Sequence, residues 1–387
     1  MIGIDCTFID MDEMKKGYLQ KGVSIYLYDI LLGLEELGHT RDIYLITYSE
    51  CKKLLKSIFP NYPIISYRPI LTKFIKIISK GNLKGNNISK RDGQFSHFVN
   101  KYNFDIVWFP FATPAGTAKL TCKSILTIHD LIMCNEKNQN RYKNMLMEAD
   151  KIVAISNYVK EEIIKLTPDL KTNVSVVYNS ISVGKEIAVI EELQGKKYIL
   201  SINAFQERKN LITLLKAYTL IEKTLDYDLV LCGSSDTNGY MKYLMDYTEK
   251  SGLVEKVHFL YQVSNKEKNW LLKNASLFVT PSVNEGFGRT PIEAAECCVP
   301  VIVTNIDVLK EITMNKLYYY SPPFSENALA NRIKEVLINT KEKEELDNIA
   351  EFFINKYSPK SNAKKYNEIF QSTRNQKSKK KYEKDNF

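Results

Sequence analysis

Long apolar runs are missing from this sequence. No stretch approaches the roughly 20 residues that a membrane-spanning helix needs, and the longest apolar runs have the length of strands. A charged-then-apolar leader is missing too: the chain opens on the strand-like Met1-Ile-Gly-Ile-Asp5, so no secretory signal is expected. The seven cysteines are scattered, with only Cys297 and Cys298 adjacent. Their spacing fits neither a zinc site nor a redox motif, and an odd set of unpaired thiols suits a reducing cytoplasm. Nothing repeats with a period of roughly 20 to 50 residues, which excludes a solenoid. No Gly-x-Gly-x-x-Gly follows the first strand, as a dinucleotide oxidoreductase would require. Asp10-Met-Asp12 sits in an N-terminal turn and Asp226-Tyr-Asp228 where a strand begins, so neither supplies a metal-binding Asp-x-Asp.

The sequence does have an uneven positive charge. Its 54 Lys and Arg exceed its 45 Asp and Glu, for a net charge of +9. Six Lys or Arg and no acid lie between Lys73 and Arg91, and the segment from Arg374 to the end carries a further +4. The remainder is close to neutral, which argues against a broad nucleic-acid face. Phe74, Ile75, Ile77 and Ile78 interleave the first group of lysines. That pattern fits a helix on an anionic membrane surface or, alternatively, a solvated basic loop. The expectation is peripheral membrane contact through Lys73–Arg91, and a basic, disordered tail over 374–387.

At 387 residues, 44% hydrophobic and 26% charged, the chain suits a soluble globular protein of two domains. Strand-like runs alternate with amphipathic helices. The strands of the first half are Ile2–Phe8, Ile43–Thr47, Ile106–Phe109, Ser124–His129, Lys151–Ser156 and Val174–Tyr178. They are apolar on both faces, as buried parallel strands are. Val23, Leu27, Ile30, Leu31, Leu34 and Leu37 trace a helix that Gly38 ends. The alternation restarts with Tyr198–Asn203, Asp228–Cys232, Lys256–Leu260, Ser276–Thr280 and Pro300–Thr304. Two α/β domains with doubly wound parallel sheets follow, broken near residue 184 and facing a cleft. The final helix, 359–373, is a candidate to return to the first domain.

Four motifs carry chemistry. In Thr280-Pro-Ser-Val-Asn-Glu285-Gly-Phe-Gly288-Arg-Thr-Pro-Ile-Glu293 a strand runs through a glycine-bearing loop into a helix. Thr290 suits an N-cap, Pro291 the first helical position, and Glu293 the partner in a capping box. Gly286 and Gly288 let backbone approach a ligand, and the helix start offers free N–H donors to a phosphate. Glu285 has no capping role and suits gripping hydroxyls. Second, Arg208 and Lys209 follow a strand's carboxyl end and precede a helix. Cations are ill-placed there unless an anion offsets them, and a diphosphate is such an anion. Third, His129 ends a buried strand. Fourth, Gly22 opens the first helix after a glycine-bearing turn.

In this order the pieces resemble the retaining glycosyltransferases of family 4, which have the GT-B fold. The likeness covers most of the chain: Gly22-Val-Ser-Ile-Tyr, His129-Asp-Leu, Ala149-Asp-Lys-Ile-Val-Ala-Ile-Ser156, Val176-Val-Tyr-Asn179, Arg208-Lys-Asn210, Leu231-Cys-Gly233, and Glu285-Gly-Phe-Gly through Pro300-Val-Ile. Its most specific element is the glutamate pair Glu285 and Glu293. The resemblance implies an acceptor-binding domain over 1–184 and a nucleotide-sugar-binding domain over 185–358, both Rossmann-like. It also implies that Glu285 holds the donor sugar and Glu293 the ribose. Arg208 and Lys209 would hold the diphosphate, helped by backbone N–H groups at Gly22 and in Gly286-Phe287-Gly288-Arg289-Thr290. His129 would sit near the reacting carbon. Three positions depart from the family: Lys21 stands beside Gly22 in place of a second glycine, Ser180 follows Asn179, and Cys298 replaces a helix-ending glycine, placing a non-glycine residue in left-handed backbone.

The implied activity is metal-independent retaining transfer from a nucleotide-diphosphate sugar to a glycan acceptor. A lipid-linked acceptor in bacterial O-antigen or capsule synthesis, at the inner face of the plasma membrane, fits the basic apolar-studded patch. The alternatives are another GT-B enzyme, an epimerase or phosphorylase, and an inactive nucleotide-sugar or glycan-binding protein.

Overall fold

The computed structural model describes residues 1–9, 22–68, 94–111, 120–233, 236 and 238–376. The basic Lys73–Arg91 patch, the tail beyond residue 376 and the turn around Asp10 lie outside the described residues. The chain divides into two compact units. The first runs to Tyr178 and resumes at Pro359; the second spans Asn179–Ser358.

The first unit holds seven parallel strands: β1 (Ile2–Asp5), β2 (Ile43–Tyr48), β3 (Ile64–Tyr67), β4 (Ile106–Phe109), β5 (Lys123–Ile128), β6 (Lys151–Ala154) and β7 (Val174–Val176). Their order is β3-β2-β1-β4-β5-β6-β7, and each pairing is parallel. Parallel neighbours need long crossovers, here made by helices such as α1 (Gly22–Glu36), α2 (Lys52–Ile58), α3 (Gln139–Glu148) and α4 (Asn157–Leu166). Leu27, Ile30, Leu31 and Leu34 of α1 are wholly buried. Gly38 stops it at φ +74°, where the His39 N–H donates back to the Leu34 carbonyl at 2.9 Å.

The second unit repeats the plan with β8 (Tyr198–Ile202), α5 (Leu211–Thr219), β9 (Asp228–Gly233), α6 (Tyr240–Lys250), β10 (Val257–Tyr261), α7 (Asn265–Asn274), β11 (Leu277–Thr280), α8 (Arg289–Glu296), β12 (Val301–Thr304), α9 (Asp307–Thr313), β13 (Tyr318–Tyr320), α10 (Glu326–Ile338) and α11 (Lys343–Lys356). Six parallel strands run β10-β9-β8-β11-β12-β13. Two strands were not expected from the sequence, β3 and β13. Both are sheet edges and half-exposed, so they lack the two-sided apolar pattern of a central strand.

The C-terminal helix α12 (Pro359–Asn375) belongs to the first unit and lies on α1. Gly33 makes that approach possible: a Cβ there would collide with the Pro359 carbonyl and stand 2.7 Å from the Ala363 methyl. Tyr366 of α12 inserts beside Trp108, with ring centroids 4.4 Å apart. The Trp108 indole donates to Thr127 Oγ1 at 2.9 Å, which meets Tyr366 Oη at 2.8 Å. Tyr366 Oη in turn meets Tyr26 Oη, so four buried polar groups satisfy one another.

In each unit the strand order reverses beside its first strand, between β1 and β4 and between β8 and β11. Loops leaving neighbouring carboxyl ends at such a reversal diverge and leave a crevice for a ligand.

Candidate functional site

The loops after β8 and β11, neighbours at the reversal, are fastened together. The β8 loop passes through a 3-10 turn, Glu207–Lys209, and reaches Asn210 at φ +53°, a left-handed conformation that Asn tolerates. The Asn210 amide donates to the carbonyls of Pro281 at 3.2 Å and Pro323 at 2.9 Å, and its Oδ1 accepts from Thr213 Oγ1 at 2.8 Å. The Val283 N–H donates to the Arg208 carbonyl at 3.0 Å.

This fastening brings Arg208, Lys209 and Glu285 together. Lys209 Nζ donates to Glu285 Oε1, and Arg208 Nη1 stands 3.5 Å from Oε2. Arg208 is aimed by Nε donating to Gln206 Oε1 at 3.0 Å and Nη1 donating to the Asn284 carbonyl at 2.9 Å. Glu285 is only 7% exposed. Burial pushes its carboxyl up, but the Lys209 ammonium, with Arg208, outweighs this and holds it below the ordinary range. The anion that offsets two cations beside a helix start is thus, in this structure, Glu285.

The loop from Glu285 to Gly288 turns into α8 in a way that corrects one sequence expectation. Helix α8 begins at Arg289, with Gly288 as its cap at φ +86° and no side-chain cap. Thr290 and Pro291 therefore lie inside the first turn, and no Thr290–Glu293 capping box forms. Gly288 takes a conformation that L side chains resist, and a Cβ there would come within 2.8 Å of Leu309 Cδ2. Once glycine fixes the entry, the helix starts two residues early. Phe287 is buried edge-on against Tyr357, with centroids 5.5 Å apart. At the other end of α8, Cys298 has φ +60°, the left-handed backbone expected where glycine is absent.

Freed from capping, Glu293 is 3% exposed and forms a second ionic group. Its Oε2 lies 2.6 Å from Lys268 Nζ of α7, and its Oε1 lies 3.8 Å from Arg289 Nε. Burial raises its carboxyl and Lys268, followed by Arg289, lowers it further than burial lifts it. Arg289 Nη1 also donates to the Ser180 carbonyl at 2.6 Å. Four cations and two carboxylates thus flank one loop and helix start, an excess of two positive charges.

Lys268 was not among the expected site residues. The capping box that does form, Ser264 with Glu267, starts its helix, and a lysine one residue later stands against the helix dipole. That misplaced cation was the available signal. The two candidates in the first unit are placed separately. His129 follows β5; its Nε2 donates to the Pro110 carbonyl at 2.8 Å, and its ring meets Tyr26 edge-on at 4.9 Å. Gly22 is the exposed first residue of α1, with open space where a Cβ would stand. Among the described residues, no three His, Cys, Asp or Glu side chains converge as a metal ion would require, and no helix is long and apolar enough to cross a membrane.

Two doubly wound units, with cations and buried carboxylates at a strand-order reversal, define the class of GT-B glycosyltransferases. Residues 20–185 match the family described as Glycosyltransferase Family 4, and residues 183–353 match Glycosyl transferases group 1. The chain belongs to the family 4 glycosyltransferases. It is similar to the O-antigen chain mannosyltransferase RfbU of Salmonella typhimurium, 30% identical over 185 residues, 48% of this chain and 50% of that protein. It is 26% identical over 337 residues to an uncharacterized glycosyltransferase, MJ1178, of Methanocaldococcus jannaschii, covering 84% and 86% of the two. The chain spans about half the length or less of the curated mannosyltransferases it matches. Among solved structures, a glycosyltransferase from Rickettsia africae superposes with a TM-score of 0.71 at 19% identity, over 97% of this chain and 99% of that one. HepE of Anabaena, solved with UDP and glucose, gives 0.72 at 16%, over 96% and 99%.

Proposed function

We propose that the chain transfers a mannosyl residue from a nucleotide-diphosphate donor to a glycan acceptor during surface-polysaccharide assembly, with retention and without a metal ion. The observation that carries this reading is the convergence of Arg208 and Lys209 on buried Glu285 at the carboxyl end of β8. Two cations preset at that place stabilise a diphosphate whose charge grows as its bond to the sugar breaks. The α8 start adds helix N-terminal N–H donors at Arg289 and Thr290, with Gly286, Phe287 and Gly288 letting the ligand approach. Glu285 accepts from the donor sugar's hydroxyls and Glu293 from the ribose. For the first unit, the family resemblance alone proposes a phosphate role for the Gly22 N–H and a sugar role for His129, whose ring is fixed by Pro110 and Tyr26.

In the reaction the anomeric carbon–phosphate oxygen bond breaks, its electron pair leaves with the diphosphate, and the acceptor hydroxyl bonds to the same face and passes its proton to the departing phosphate oxygen. The mannosyl donor and O-antigen setting are supported by relatives named O-antigen chain mannosyltransferase and serotype-specific mannosyltransferase. A lipid-linked acceptor at the cytoplasmic membrane face, reached through Lys73–Arg91, completes the proposal. The test is transfer from a panel of nucleotide sugars to glycolipid extracts, read by mass and by NMR of the new anomeric centre. A mannosylated product with the donor's anomeric configuration is expected. An inverted product, an isomerised donor or a released sugar phosphate would each refute it.

A further inference from the structure

We infer that Lys268 is a positioning residue for the donor nucleoside: it holds Glu293 charged and aimed so that this carboxylate can grip the ribose hydroxyls. The inference rests on the donor-site reading above and assigns a role to a residue outside the glycine loop.

Glu293 is buried at 3% exposure, and an ionised carboxylate removed from water needs a compensating charge. Arg289 is a weak source, because its Nε stands 3.8 Å away and one arm of its guanidinium is committed to the Ser180 carbonyl. Lys268 is the close one, 2.6 Å from Oε2. Lys268 both charges and hydrogen-bonds this carboxylate, and because the two oxygens of a carboxylate offer about four acceptor positions, lone pairs remain for a hydroxyl.

Lys268 is itself held from behind. It lies in the first turn of α7, where the helix dipole disfavours a cation, and its N–H donates to the Ser264 carbonyl at 2.8 Å. The reciprocal bonds of that cap, Glu267 N–H to Ser264 Oγ at 3.2 Å and Ser264 N–H to Glu267 Oε2 at 2.6 Å, fix the turn. Asn269 next along the chain anchors it further, donating to the Glu186 carbonyl at 2.9 Å. A flexible lysine is thereby given one approach to Glu293. The charged groups facing Glu293 are Lys268 from α7 and Arg289 from its own helix, and the Cys297 thiol beyond the end of α8 is raised by burial and, in part, by the Glu293 charge.

The test measures affinities of GDP, UDP and their 2′,3′-dideoxy forms by titration calorimetry between pH 5.5 and 8.5. The wild type should prefer the ribo form of its own nucleotide, and that preference should be flat with pH. Lys268→Met should lose about tenfold in ribo affinity at neutral pH, keep its dideoxy affinity within about twofold, and regain ribo preference as pH rises. The pH sign follows from burial: without the lysine, burial raises the Glu293 carboxyl and the ionised form returns only at higher pH. Lys268→Arg should retain the preference. Glu293→Gln should abolish it, and adding Lys268→Met to Glu293→Gln should change nothing more; that double variant buries no lone charge and keeps the test open if the single one unfolds. Equal losses of ribo and dideoxy affinity in Lys268→Met, or no loss of either, would overturn the positioning role. A wild type that binds no nucleotide at all would instead overturn the donor site on which it rests.

Discussion

Glu285 shows how the site is made from single residues. A buried carboxylate costs several kcal/mol of lost hydration, which Lys209 and Arg208 offset by pairing with it. Removing one partner leaves the cost standing. Lys209→Met is therefore expected to lower unfolding stability by about 3–5 kcal/mol, whereas Lys209→Met with Glu285→Gln should recover much of the loss. Urea melts measure both. The pH sense follows from the lowered carboxyls of Glu285 and Glu293. A group whose folded pKa lies below its ordinary 4.5 contributes stability above 4.5 that is lost as pH falls through the folded value. Wild-type stability should thus decline below pH 4.5, and Glu285→Gln should decline less steeply. Glu285, Arg208 and Lys209 were legible in the sequence because their charges sit where neither capping nor solvation explains them. Lys268 was not, because its partner lies 25 positions along the chain in another helix.

At the scale of elements, what the sequence reveals depends on how completely an element is buried. Strands β4 and β5, apolar on both faces, were plain, whereas the half-exposed edges β3 and β13 left no periodic mark. The start of α8 was misplaced by two residues because Thr-Pro-x-Glu is good capping chemistry, yet Gly288 at φ +86° settles the entry first. The docking of α12 on α1 depends on one absent side chain. Gly33→Ala would set a methyl against the Pro359 carbonyl, which cannot move out of the way as a side chain can. A destabilisation of about 1–3 kcal/mol is expected, with amide exchange accelerating over 359–375 before it does in the second unit. Unchanged exchange there would mean the two helices part without cost.

Across the whole molecule, alternation of strand and helix was enough to derive two doubly wound sheets, because parallel pairing forces helical crossovers and a right-handed connection. Composition located the positive charge but not its use: Lys73–Arg91 lies outside the described residues, and membrane contact is a proposal. Specificity for base, sugar and acceptor was not legible, since it depends on loop geometry that residue types do not encode. The central claim is that the cations after β8 and the carboxylates after β11 form a site for a nucleotide-diphosphate sugar. The most direct measurement is thermal unfolding with UDP, GDP, ADP and dTDP, and with NAD as control. A nucleotide at about 100 times its dissociation constant adds roughly 2.7 kcal/mol, a shift of roughly 5 °C or more for a unit of this size. Such a shift is expected with one nucleoside diphosphate, and its loss in Arg208→Ala with Lys209→Ala. A folded, monodisperse protein whose transition no nucleotide moves would contradict the claim.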